Sequence, residues 1–177
     1  MSGLDEHQRR REWIVASLFV FVISAITLRL SGWLGVARLR SWQTVGRASS
    51  SAMLLFTGSS HFSALKHDFV AMLPQPLPKD VRIIYLTGLT EIAGAIGMLI
   101  PRFRRAAGIG LVVQLAAMFP ANVNAALKRI PLRGKPPTAL WLRAPMQLLY
   151  IAVIWVTAIN DVPEGERSKR VRNPLRR

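Results

Sequence analysis

Apolar residues in this chain are gathered into five long blocks separated by short polar segments. A membrane-spanning helix needs about 20 mostly apolar residues, and each block comes close to that length. The fourth block carries no charge, whereas the second is rich in serine. The blocks lack the charged stripe that a soluble amphipathic helix would carry, so we predict membrane helices. The five blocks are residues 13–37, 48–65, 83–101, 106–127 and 144–160.

The predicted fold class is all-α: an integral membrane four-helix bundle made of blocks two to five, with an additional N-terminal hydrophobic helix. The predicted divisions are residues 1–40, with a basic segment and the extra helix, residues 41–160, the membrane domain, and residues 161–177, a basic tail. Between blocks two and three, residues 69–73 predict a short interfacial helix. The proline-rich segment 74–78 is predicted to end it.

The first block has two interpretations. The arginines at positions 9–11, followed by apolar residues 14–28, are typical of a secretory signal. However, no convincing small-x-small cleavage site follows. Arg29 and Trp33 continue the segment toward a membrane interface, which is typical of an uncleaved anchor. We prefer the anchor and keep the cleaved signal as the alternative.

The chain is strongly basic, with 24 Lys and Arg against nine Asp and Glu and a net charge of +15. The basic residues flank the apolar blocks, so we do not predict nucleic-acid binding. The positive-inside rule places the 102–105 turn and the C-terminal tail in the cytoplasm, and residues 66–82 and 128–135 outside. The tail is predicted to bind anionic lipid headgroups, at about 1 kcal/mol per basic residue. The bilayer and its anionic lipids are thus the first predicted partners.

The inventory of metal-binding side chains is small. The chain has no cysteine, which excludes disulfides, thiol relays and thiolate metal sites. Its three histidines are His7, His61 and His67, and none is placed deep inside a block where two could ligate a haem between helices. No metal or haem is predicted.

Glu91 is the only acid in the third block. A carboxylate at bilayer depth costs about 2.5 kcal/mol or more, so such residues are rare and usually face a bundle interior or a cavity. Thr87, Thr90 and Gly94 follow at helical spacing and are predicted to share its face. Glu91 is therefore the candidate catalytic residue, acting as a proton relay. The hypothesis would be wrong if Glu91→Gln kept full function with an unchanged pH profile.

Other polar side chains have a similar predicted depth. Pro120, inside the fourth block, frees the carbonyl of Ala116, and we expect a nearby amide (Gln114, Asn122 or Asn124) or water to satisfy it. The predicted site is a pocket in the outer half of the bundle, with Glu91 as the catalytic group. Its predicted ligand-binding residues are His61, Asn122, Asn124, Arg143 and Gln147.

Each of these residues also has a structural interpretation. Glu91 is equally compatible with a buried acid bonded to neighbouring Thr and Asn side chains. His61 suits the end of a helix at the membrane interface, and Arg143 suits a side chain that extends to lipid headgroups. Pro120 and the asparagines suit residues that bend the bundle and hold it together.

The same residues resemble the DoxX family of small multi-pass bacterial membrane proteins. The resemblance spans about residues 48–156 and includes the 74–78 stop and the 101–105 turn. Its motifs are Gly58-x-x-His61-Phe62, Gly88-x-x-Glu91-Ile92-Ala93-Gly94 and Phe119-Pro120-Ala121-Asn122. The resemblance implies a four-helix bundle in the inner (plasma) membrane of a bacterium. The first block and the basic tail are not part of the family core.

Two functions remain open, one of them suggested by the family resemblance. Its relatives include subunits of a membrane oxidoreductase that passes electrons from thiosulfate to quinone, and parts of redox-stress complexes, although most members have no known activity. This chain is accordingly predicted to be a redox- or quinone-associated subunit, with quinone as the candidate cofactor and a soluble or membrane redox partner. The alternative is a non-catalytic scaffold or assembly factor. A transporter fits less well, because the five blocks show no internal repeat.

Overall fold

The computed structural model describes residues 14–134 and 136–160, which form six α-helices and no β-strand. A 3₁₀ turn, Ala37–Arg40, lies between the first two helices, and a π-helix, Trp155–Ile159, continues the last. The all-α prediction is confirmed. The basic tail, His7 and the arginines at positions 9–11 lie outside the described residues. The helices are α1 (Ile14–Trp33), α2 (Trp42–Ser60), α3 (Lys66–Met72), α4 (Val81–Leu99), α5 (Arg104–Leu127) and α6 (Leu140–Ile154).

Four helices in the described part of the chain are long and apolar enough to cross a membrane. They are α1, α4, α5 and the continuous segment Leu140–Ile159. The serine-rich α2 is not among them, so the prediction that the second block spans stays a prediction. The membrane-helix prediction is therefore supported for four of the five blocks.

Polar caps and prolines set the ends of α3 and α4. The side chain of Asp80 accepts a hydrogen bond from the backbone N–H of Arg82 at 2.8 Å, which satisfies a donor at the start of α4. Lys79 Nζ donates to the carbonyl of Ala71 at 2.8 Å, close to the end of α3. The short helix predicted before the proline-rich segment, with Lys66, His67 and Asp68 on its polar side, is present as α3.

The α2 helix packs against α1, α4 and α6, and α5 packs against α4 and α6. The buried side of α4 repeats every three or four residues, as expected for a helix with one packed face. A contiguous apolar core joins α2, α4, α5 and α6, with Phe21 of α1 packed against it. The buried residues of α4 are Ile84, Gly88, Glu91, Ala95 and Met98.

The serine-rich face of α2 is explained by this packing. Ser49, Ser50 and Ser51 are all at most 1% exposed. The Ser51 hydroxyl donates to the carbonyl of Ala95 in α4 at 2.9 Å, and Arg47 donates to the carbonyl of Thr157 at 2.7 Å. Small residues allow helices to approach closely. Of the three serine hydroxyls, that of Ser51 bonds across the interface, whereas that of Ser49 bonds to Val45 of its own helix. The low hydropathy of α2 thus reflects contact with other helices rather than with solvent.

Side-chain contacts show which connections lie at the same end of the helices. Asn124, near the end of α5, donates to the carbonyl of Met72 at 2.9 Å, and the backbone N–H of Arg133 donates to Asp68 at 2.8 Å. The α2–α4 and α5–α6 connections therefore lie together. This agrees with the predicted grouping of these two connections on one side, while their orientation relative to a cytoplasm stays a prediction.

Candidate functional site

A cavity of about 800 Å³ lies among the helices, within the range of about 300–1,000 Å³ that is typical of small-molecule sites. Its walls come from α2, α4, α5 and α6, with Ala16 and Ser17 of α1. Residues of α3 and of the α5–α6 connection line one end. Apolar side chains such as Met53, Leu115 and Met146 form much of the wall. The cavity can therefore hold an apolar molecule that carries a few polar groups.

Glu91 projects from the middle of α4 into this cavity and is 4% exposed. The hydroxyl of Thr57, on the facing helix α2, donates a hydrogen bond to Glu91 Oε1. The other carboxyl oxygen, Oε2, lies 3.6 Å from Nε2 of His61. Residues 57 and 61 are one helical turn apart, which places both side chains toward the same carboxyl group.

The contacts of Nδ1, the other ring nitrogen of His61, show which nitrogen carries the proton in the neutral ring. Nδ1 lies 3.1 Å from the carbonyl of Ile84 and 3.0 Å from Thr87 Oγ1. Because the Thr87 hydroxyl itself donates to the Ile84 carbonyl at 2.8 Å, both neighbours of Nδ1 act as acceptors. Nδ1 therefore carries the proton in the neutral ring, and the lone pair of Nε2 faces Glu91.

His61 and Glu91 can together hold one proton in two arrangements, although at 3.6 Å a transfer between them requires a closer approach or a bridging oxygen atom. With the proton on Glu91, the imidazole and the carboxyl group are both neutral; with the proton on Nε2, they form an ion pair. Both arrangements have the same total charge, so the proton can move between them without changing the net charge at this depth. The 3.6 Å separation exceeds a direct hydrogen bond, which leaves room for an oxygen atom to bond to both groups.

The close approach of α2 and α4 depends on two glycines. A Cβ at position 58 would lie 2.9 Å from Ile92 Cγ1 and 3.3 Å from the carbonyl oxygen of Gly88. A Cβ at Gly88 would lie 2.6 Å from the Cβ of His61. Without these glycines the two helices would have to separate, and the contact between His61 and Glu91 would lengthen.

Helix α6 contributes a polar stripe to the opposite wall. Arg143, Gln147 and Tyr150 lie three or four residues apart, and all three line the cavity. Gln147 Nε2 donates to the carbonyl of Leu115 at 2.5 Å, and its Oε1 accepts from Asn122 Nδ2 at 3.3 Å. The Tyr150 hydroxyl lies 3.2 Å from Ser17 Oγ. Within residues 14–134 and 136–160, the side chain of Arg143 has no hydrogen-bond or ion-pair partner.

The structure brings five of the six predicted site residues to one cavity: His61, Glu91, Asn122, Arg143 and Gln147. Asn124 does not line it. Its amide donates to the carbonyls of Met72 at 2.9 Å and Leu73 at 3.3 Å, so it ties α5 to the end of α3. Asn124 therefore lies outside this cavity, because residues two apart on a helix point in different directions, and its ligand-binding role stays a prediction.

The expected hydrogen bond to the Ala116 carbonyl is also absent among the described residues. The amides of Asn122 and Asn124 bond elsewhere, and Gln114 donates to the carbonyl of Thr87 at 2.7 Å. The side-chain amide of Gln147 donates to the carbonyl of Leu115, the residue before Ala116. Thr90, predicted to share the face of Glu91, is instead exposed and bonds to its own helix.

The polar residues that line the cavity but were absent from the predicted site include Thr57, Thr87, Gln114 and Tyr150. Thr57 precedes His61 by one helical turn, and Tyr150 follows Gln147 by three residues, so helical spacing from predicted residues was an available signal. Gln114 is the only polar side chain between Arg105 and Pro120. Among the described residues, no group of three His, Asp or Glu side chains is placed to hold a metal ion.

Over the described residues, fold and site together define an all-helical protein with four helices long and apolar enough to cross a membrane and a His–Glu pair in a cavity between helices. The model of the family described as a domain of unknown function (DUF8561) matches residues 51–158, more than half of the chain, and the chain belongs to this family. No curated protein and no solved structure matches the chain. The matched segment contains all six predicted site residues and leaves out α1.

Proposed function

We propose that this protein is a redox-associated membrane subunit that binds a small amphiphilic molecule, first of all a quinone, in the cavity beside Glu91. The observation that carries this proposal is the position of His61 Nε2, 3.6 Å from Glu91 Oε2 in the wall of a largely apolar cavity. Intramembrane carboxyl groups commonly mark proton pathways and ligand sites. A quinone combines an apolar ring and tail with oxygen atoms that accept protons on reduction.

The proposed chemistry is a proton exchange between the His61–Glu91 pair and a quinone oxygen. Reduction of a quinone to a quinol consumes two electrons and two protons. Glu91, the proposed catalytic residue, supplies a proton through its carboxyl group and is reprotonated through His61. The electrons come from a soluble or membrane redox partner, which is part of the proposal. Asn122 and Gln147 form the ligand-binding wall opposite the pair.

The proposed membrane arrangement is a four-helix bundle of α2, α4, α5 and α6, with α1 as an addition. Support comes from the contacts of α2 with α4 and α6 and of α5 with both of those helices. The family match, which begins at residue 51, supports the separate status of α1. We place the bundle in the inner (plasma) membrane with a cytoplasmic C-terminus, and the basic tail on anionic lipid headgroups. The relation to DoxX proteins likewise stays part of this proposal.

Quinone content tests the function directly. The protein is purified in mild detergent and extracted with organic solvent, and quinone per protein is compared among wild type, Glu91→Ala and Glu91→Gln. Thr90→Val is the matched control, because Thr90 is adjacent in α4 but exposed. We expect stoichiometric quinone in wild type and control, and its loss in Glu91→Ala. Quinone absent from wild type, or unchanged in Glu91→Ala, would overturn the quinone proposal.

The alternative function is a non-catalytic scaffold or assembly factor for a partner complex. The observation that favours it is the use of buried amides between helices: Gln114 bonds to Thr87, and Asn124 bonds to Met72 and Leu73. Interhelical hydrogen bonds of this kind stabilise a helical membrane protein without any ligand. A partner that co-purifies with wild type but not after removal of residues 167–177 or neutralisation of the 102–105 turn, together with no bound quinone, would support the scaffold.

A further inference from the structure

The cavity wall contains more cationic than acidic side chains. Of the described residues in its wall, Glu91 is the only acid, whereas Arg133 and Arg143 are both cationic. Arg133 is exposed on the α5–α6 connection, where its backbone N–H bonds to Asp68. Arg143 is partly buried in the first turn of α6. Glu91 bonds to Thr57 and lies beside His61, and among the described residues no ion pair joins it to Arg143.

The polar side chains next to Arg143 in this stripe have hydrogen-bond partners. Gln147 uses both ends of its amide, on Leu115 and Asn122, and the Tyr150 hydroxyl lies against Ser17. In this stripe, the guanidinium of Arg143 alone has no hydrogen bond or ion pair within the described residues; its backbone N–H bonds to the carbonyl of Ala139. A guanidinium in apolar surroundings is costly unless an anion or strong acceptor meets it. The stripe thus has one free recognition group, and that group is cationic.

We infer that Arg143 binds the anionic head of an amphiphile whose apolar chain occupies the cavity. A guanidinium offers paired N–H donors that match a carboxylate or a phosphate, and it loses less hydration on binding than an ammonium group. Leu115 and Met146 supply apolar wall for the chain. The ligand class is therefore an acyl chain with an acidic oxygen group, either a free carboxylate or the phosphate of a membrane lipid. This inference rests on the proposal that the cavity is a ligand site, but not on proton exchange at Glu91.

Calorimetric titration of the purified protein in neutral detergent tests the inference with laurate and lauryl alcohol, which share a chain and differ in charge. We expect wild type to bind laurate about tenfold or more tightly than the alcohol. Arg143→Gln should weaken laurate binding by about tenfold to a hundredfold. Arg143→Lys keeps the charge but loses the paired N–H donors, so its affinity for laurate should lie between those of wild type and Arg143→Gln. Arg82→Gln is the matched control, because Arg82 lies in the first turn of α4, is exposed and does not line the cavity.

The outcomes separate the possibilities. Equal affinity for laurate and the alcohol in wild type would overturn the inference, even if Arg143→Gln failed to fold. Unchanged laurate affinity in a folded Arg143→Gln would also overturn it. If phosphatidylglycerol displaces laurate from wild type, the source of the head group is a membrane lipid; if it does not, the source is a free carboxylate, and both results support an anion at Arg143. Laurate binding through Arg143 without bound quinone would support the anion site and reject the quinone proposal. Bound quinone without a preference for laurate over the alcohol would support the quinone proposal and reject the anion site.

Discussion

Gly88 of α4 and His61 at the end of α2 are in direct contact: a Cβ at position 88 would lie 2.6 Å from the Cβ of His61. The same added atom would lie 3.0 Å from the carbonyl oxygen of Gly58. A Cβ and a backbone oxygen cannot rotate away, so only movement of a helix could make room. The absence of a side chain at Gly88 therefore holds His61 at its distance from Glu91.

Gly88→Ala should accordingly separate α2 from α4. We expect the free energy of unfolding to fall by about 1–3 kcal/mol, the usual cost of an extra group in a packed interior. Bound quinone should fall with it, because His61 moves from Glu91. Denaturant unfolding in detergent micelles measures the first effect and solvent extraction the second. Gly110→Ala is the matched control, since nothing lies within 4 Å of an added Cβ at that glycine; equal stability of the two variants would contradict the close contact.

Thr57→Val removes the hydroxyl that donates to Glu91 Oε1 while keeping the shape of the side chain. One lost hydrogen bond corresponds to a loss of about threefold to tenfold in quinone affinity, measured by titrating a short-chain quinone. Thr90→Val removes an exposed hydroxyl that bonds only to its own helix, and it should leave affinity unchanged. Unchanged affinity in both variants would mean that Thr57 does not position the carboxyl group of Glu91 for binding.

Asn122 and Asn124 should differ in what their alanine variants lose. Asn124→Ala leaves the carbonyls of Met72 and Leu73 without their amide donor, and we expect a loss of about 1–3 kcal/mol in unfolding free energy with quinone content retained. Asn122→Ala changes the cavity wall next to Gln147, so quinone binding should weaken with a smaller loss of stability. The reverse pattern would assign the site to Asn124.

The orientation in the membrane can be tested with single cysteines, because the chain contains none. Gln75 lies on the exposed α3–α4 connection and Phe103 on the exposed α4–α5 turn. From the positive-inside rule, Gln75→Cys should react with a membrane-impermeant maleimide in intact cells, whereas Phe103→Cys should react only after lysis. The opposite labelling would reverse the proposed topology and place the C-terminus outside. Labelling is read as a mass shift of the purified protein.

Asn122 and Asn124 show which features of the site the sequence can predict and which it cannot. The distance of each residue from the end of an apolar block predicts its depth, because a helix rises by a constant amount per residue. That is why His61, Asn122, Arg143 and Gln147 could be predicted at one level and were found in one cavity. Depth does not predict the rotation of a helix about its axis, which is set by contacts with its neighbours.

What the sequence determined by itself was the all-helical fold and the level of the polar groups, since a helix satisfies its backbone hydrogen bonds locally and a run of apolar residues shows its length. The tertiary structure decided which side chains meet. It placed the serine-rich α2 against α1, α4 and α6, turned Asn124 toward the end of α3, and set Thr57 and His61 against Glu91. These contacts depend on small residues such as Gly58 and Gly88, which lie on facing helices. The packing of two helices depends on both of them, so the sequence of one helix alone does not predict it.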